Sequence, residues 1–173
     1  MSRIATTLTA AALVTANPVM AETYRGYETP RYTVVATAGQ VEIRDYAPAL
    51  LAQVQIEADQ SAALREGFRI LAGYIFGGNV SADKIAMTAP VVQEPQGDGW
   101  AVSFIMPAGM ELEDLPDPGG DVRLVREPAR HMAVVRFSGV WTDARFEAAT
   151  ERLTHWARSE GLTIVGPPEF GYF

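Results

Sequence analysis

Residues 41–56 return at 122–137. With an offset of 81 residues, Val41, Ile43, Ala52, Val54 and Ile56 fall on Val122, Leu124, Ala133, Val135 and Phe137. In each copy apolar residues alternate with polar ones, the period of a strand with one buried face. Each copy then runs into a segment of helical period that stops at glycine. The first helix is expected from a cap at Asp59 or Ser61 to about Phe76, with Leu64, Phe68, Leu71 and Ile75 on one face. Gly77, Gly78 and Asn79 would supply the positive φ that ends it. The second is expected over 142–160, with Phe146, Ala149, Leu153, Trp156 and Ala157 inward and Gly161 beyond its end. After the helices "MTAPV" and "IVGPP" correspond, Pro90 opposite Pro167. Further strands are expected at 32–36, 85–92 and 100–106, with 93–99 as a hairpin connection.

The unit is therefore strand–strand–helix–strand–strand, used twice. Two such units pair into an α+β fold: a distorted antiparallel sheet or open barrel with two helices packed outside. A pseudo-twofold then leaves a cleft between helix and sheet. The second copy runs out before it reaches a counterpart of 100–106, so the last strand is expected to be missing or very short.

The rest of the chain sets boundaries. Residues 1–21 resemble a cleavable export signal: Arg3, an apolar run, then Val19-Met20-Ala21. The apolar part is short for a bilayer span. An exported, periplasmic or secreted protein is expected, without stable membrane insertion after cleavage. Residues 22–31 are polar and turn-rich, a mobile lead-in, and 32–173 form one domain. Fourteen basic against 21 acidic residues give a net charge of −7, which argues against a nucleic-acid partner. There is no cysteine, hence no thiol nucleophile, no cysteine-rich metal site and no thioether-linked haem. No nucleophile elbow, zinc-protease motif or phosphate loop occurs, and an enzyme is not expected. The acidic loop with Glu111, Glu113, Asp114, Asp117 and Asp121 lacks calcium-loop spacing and reads as solvated.

Several residues admit two readings. Arg65 and Arg69 share a helix flank with Phe68, Ala72 and Phe76. They are either a solvated edge, paired with Glu66 or Glu57, or an anion-holding pair at the lip of an apolar cleft. Met87, beside Ile85, Ala89 and Val91, is either core or pocket wall. His131 opens a strand and is either satisfied by backbone or a weak candidate for a metal ligand. His155 should face solvent.

The segments "VEIRDYAPAL", "ALREGFRILAGYIFGGN", "KIAMTAPV", "VSFIMP", "LPDPGGDVRL" and "AVVRFSG" occur in an order that resembles the SOUL haem-binding family, from about Tyr32 to Tyr172. The resemblance implies a distorted barrel of two pseudo-repeats with two helices. It also implies non-covalent binding of haem b or another tetrapyrrole beside the first helix. Carried over by motif, Arg65, Phe68 and Ala72 line that site, and Tyr172 falls in a late tyrosine motif. Arg69 and Met87 join them from the residue-level reading above. The position of a histidine proposed as iron ligand in some relatives is Asp45 here, and the family's closing strand is not found.

The expected function is thus tetrapyrrole binding. The alternatives are a module for a small apolar or cationic ligand, favoured if Asp45 is buried and unpaired, or an envelope interaction protein with a vestigial pocket.

Overall fold

The computed structural model describes residues 23–140 and 142–173; the expected export signal lies outside them. Within the described residues, ten strands and two α-helices form an α+β fold of antiparallel sheets. In chain order these are β1 (Thr23–Tyr24), β2 (Tyr27–Glu28), β3 (Tyr32–Ala38), β4 (Val41–Tyr46), β5 (Ala49–Ile56) and α1 (Gln60–Ile75). There follow β6 (Val91–Gln96), β7 (Gly99–Ile105), β8 (Arg123–Glu127), β9 (Arg130–Val135), α2 (Asp143–Ser159) and β10 (Phe170–Tyr172). One sheet has the order β10-β6-β7-β5-β8, another β3-β4-β9, and β1 pairs β2. The sheets do not close into a barrel among the described residues.

The repeat governs this topology. β4 pairs with β9, and β5 pairs with β8. Exchanging the two halves turns one pairing into the other and keeps its register. Val41 faces Val135, and the β5–β8 register of Gln53 opposite Arg123 brings Val54 towards Val122 at its next step. The halves differ afterwards. β5 continues through β7 to β6 and β10, whereas β9 ends its own sheet, with β4 as its strand partner among the described residues. As a result α1 lies across β5 and β7, but α2 packs mainly on β9.

α1 begins where expected. The Asp59 carboxylate accepts the Ala62 N–H at 2.8 Å, an N-cap bond. Its buried face is rotated from the expected one. Ala63, Gly67, Leu71, Tyr74 and Ile75 are buried, Leu64 is half-buried, and Phe68 is 42% exposed. The reason is Gly67: a Cβ there would lie 2.6 Å from the Val102 Cβ, so the helix backbone itself rests on β7.

The helix end also differs from expectation. Only Gly77 has positive φ, at 102°. Asn79 acts through its side chain instead. Its amide donates to the Tyr74 carbonyl at 2.9 Å and the Asp83 carbonyl at 2.7 Å, and its oxygen accepts the Asp83 N–H at 3.0 Å. Asn79 is 8% exposed, so its side of these bonds is shielded from water. Asn79→Ala is expected to cost about 3 kcal/mol in urea denaturation.

The segment 85–92 is not the expected strand. Residues 85–90 run without a ladder, because their partners are scattered. The Ile85 N–H donates to the Ile75 carbonyl at 2.9 Å, the Thr88 hydroxyl to the Ile105 carbonyl at 2.5 Å, and the Ala89 N–H to the Glu28 carbonyl at 2.9 Å. The peptide bond before Pro90 is cis. β6 starts at Val91 and runs through Pro95, which leaves Gly97 and Asp98 as the hairpin turn. Residues 23–30, expected to be mobile, are tied down. β1 and β2 form a hairpin, Glu28 also accepts the Ala108 N–H at 2.9 Å, and Tyr24 packs edge-on against Phe173. No helix of the described residues is long and apolar enough to cross a membrane.

Candidate functional site

The outer flank of α1 presents an aromatic ring between two arginines. Phe68 stands edge-on against Phe104 with ring centres 5.4 Å apart, and its other side is open to solvent. Arg65 and Arg69 are both exposed. Arg69 is held by Glu66, with an N···O distance of 2.5 Å. That contact raises the guanidinium's pKa and lowers the carboxyl's. Arg65 has no ion-pair partner among the described residues. Ala72 and Met87 are half-buried and pack against the common core. Ile85, Ala89 and Val91 are buried, so three of Met87's apolar neighbours belong to the core.

Tyr172 lies elsewhere. It is 9% exposed, its hydroxyl donates to the Gln93 side-chain oxygen at 2.7 Å, and it accepts from Gln60 at 3.3 Å. It joins β10 to β6 and the start of α1, where Gln60 precedes Arg65 and Arg69 by about one and a half to two and a half turns of helix.

His131 is not at that flank either. It is exposed on β9, its Nδ1 2.5 Å from the Asp45 carboxylate on β4. Asp45 is therefore neither buried nor unpaired, and the condition for a cationic ligand there is not met. The expected backbone partner of His131 is replaced by this cross-strand carboxylate. No group of three or more metal-ligating side chains occurs among the described residues.

Sequence reasoning missed two polar features. Arg44 is 4% exposed, held by Glu42 at 2.6 Å and the Tyr46 hydroxyl at 3.0 Å, with the Tyr32 ring 4.3 Å away. Burial works to lower its pKa, but Tyr46, Glu42 and Tyr32 together raise it. The second is a knot of charge where β6, β8, β9 and β10 approach. Arg130 binds Glu169 and, at 3.1 Å, Glu127. Burial first, then Glu127, pushes the nearby Glu94 carboxyl up against the pull of Arg130. Glu169 is raised as well, again chiefly by burial.

The sign follows from linkage. A carboxyl with a raised folded pKa favours folding below its unfolded value, about 4.3, and loses that contribution as pH rises through the folded value. Glu94→Gln is therefore expected to raise the urea midpoint at neutral pH and leave it unchanged near pH ~3, where glutamate is protonated in both states. Equal shifts at both pH values would contradict this.

The residue pattern behind this fold matches the SOUL heme-binding protein family over residues 27–172. The chain belongs to that family. A SOUL relative, heme-binding protein 2 of Mus musculus, is 30% identical over 132 residues. The match covers 71% of this chain, and the chain spans 64% of the relative's length. Family membership makes a tetrapyrrole the ligand class to test against the flank just described. The SOUL motif "KIAMTAPV" proves to be a scaffold element here: Thr88 and Ala89 fasten it to β7 and β2.

Proposed function

We propose that this protein binds a tetrapyrrole such as haem b non-covalently on the outer flank of α1. The observation that carries the reading is the half-exposed Phe68 ring, flanked by Arg65 and Arg69. An aromatic face left in water offers stacking area, and guanidinium groups suit the propionates of a porphyrin. Covering several hundred Å² of apolar surface contributes on the order of 10 kcal/mol before the entropy of association is subtracted. Arg65 is the stronger propionate partner, since Arg69 must first leave Glu66. Ala72 keeps the neighbouring helix surface low.

The residues fit the ring and its acids better than an iron. No histidine or cysteine lies on the flank, and His131 is held by Asp45 on the other sheet. Binding is therefore expected to depend little on iron. Export of the mature chain is part of the reading and rests on residues 1–21 alone.

A haemin titration followed by Soret absorbance tests the proposal. Saturable binding is expected, with metal-free protoporphyrin within about threefold of haemin, well under the tenfold that corresponds to 1.4 kcal/mol. Arg65→Glu should weaken binding by about tenfold, and Arg158→Glu on α2 should not. Without a saturable Soret change the reading fails. Equal effects of the two substitutions would remove Arg65 from the site.

A further inference from the structure

A cleft of about 510 Å³ opens between the start of α1, the β6–β7 hairpin and α2, away from the Arg65–Phe68 flank. Trp100, Phe146 and Phe170 wall it, with Pro95 and Pro168 at its edges. The rings are in contact: Phe146 meets Phe170 at 4.8 Å and Trp100 meets Phe170 at 6.1 Å between centres. The α2 side of the cleft carries Asp143, Glu147 and Glu151, all exposed.

These three acids are four residues apart, so they form one stripe along the helix. Like charges at that spacing cost a helix a few tenths of a kcal/mol per pair. None of the three has an ion-pair partner among the described residues. Asp143 gains from the helix dipole at the N-terminus, but Glu147 and Glu151 do not. The fold thus keeps repelling carboxylates beside an aromatic wall. Such a cleft complements a cation whose body is apolar, since both carboxylates and ring faces attract it.

The spacing narrows the cation further. Successive carboxylates are displaced along the axis by about 6 Å, about the separation of two ammonium groups across four methylenes. We propose that this cleft binds a linear aliphatic polyamine, its ammonium groups along Asp143, Glu147 and Glu151 and its methylenes against Trp100, Phe146 and Phe170. The site is independent of the tetrapyrrole reading, because a porphyrin brings negative charge and this cleft repels it.

The test is calorimetry at low salt with spermidine, 1,4-diaminobutane and butylamine, and with magnesium chloride at matched ionic strength. Saturable binding is expected to strengthen with each added ammonium group, with magnesium giving none. The double substitution Glu147→Gln, Glu151→Gln should weaken spermidine at least about tenfold. Both side chains are exposed, so circular dichroism should stay unchanged. Haemin binding should be indifferent to spermidine. The proposal is overturned if magnesium matches spermidine, if the double variant binds as the parent does, or if millimolar spermidine gives no saturable heat. A lysine-rich peptide that binds while spermidine does not would also overturn it, and would assign the cleft to a protein partner.

Discussion

Gly67→Ala is expected to cost about 2–3 kcal/mol of stability, the range for overpacking a close-fitted contact. The added Cβ would sit 2.6 Å from one Val102 side-chain atom and 2.7 Å from another. Neither side can yield cheaply. Val102 is fully buried at the centre of β7, and its β-branched side chain is stiff. α1 is fixed at one end by the Asp59 cap and at the other by Asn79. The helix must therefore lift from the sheet, which loosens Leu71 and Ile75 as well. Urea denaturation reads the loss. Adding Val102→Gly removes the Cβ and both Cγ atoms that the new methyl would meet, so the double variant should be more stable than the sum of the single losses by about 1 kcal/mol or more. Strict additivity would show that the contact is not steric.

Gln93→Leu is expected to cost about 3 kcal/mol, although leucine nearly matches its shape. Gln93 is fully buried on β6. Its amide donates to the Gln60 backbone carbonyl at 2.8 Å, and its oxygen accepts from Tyr172 at 2.7 Å. Leucine removes both bonds at once, and each buried polar group deprived of a partner costs about 1–3 kcal/mol. Tyr172 adds a pH signature. Burial, with a smaller contribution from Asp143, raises its hydroxyl pKa against the lowering effect of the Gln60 bond. The hydroxyl thus supports folding fully below the unfolded tyrosine pKa, about 10, and the support is lost as pH rises through the folded value. Tyr172→Phe should be the less stable chain at pH 7 and should show a flatter decline in alkali. Parallel alkaline profiles would exclude Tyr172 as the sensor.

Much of the architecture was legible because it is written twice. The apolar pattern at an 81-residue offset predicted β4, β5, β8 and β9, and their crossed pairing follows from the same symmetry. The α1 face was misjudged by about one residue for a physical reason. Hydrophobicity marks Phe68 as core, whereas the closest approach is made by Gly67, which carries no apolar signal. Ile85, Met87 and Ala89 alternate like a strand, yet the backbone finds its partners one at a time, and periodicity does not encode that. The Arg65–Phe68–Arg69 flank was visible from helical spacing plus family resemblance. The polar chain of Gln60, Gln93 and Tyr172 was not, since its members are 33 and 79 residues apart. The carboxylates of α2 were in plain view at positions 143, 147 and 151. Only the fold shows that their stripe borders aromatic rings from β7 and β10.

The uneven support of the two helices has a dynamic consequence. α1 is bedded on two central strands, with five buried residues along it. α2 buries Ala149 and Ala157 and is otherwise anchored at one end, where Phe146 meets Phe137, Phe170 and Tyr172. Local opening is cheapest where few apolar groups are buried. The two repeats thus share a plan but not an anchorage, and local opening is expected to reach α2 before α1.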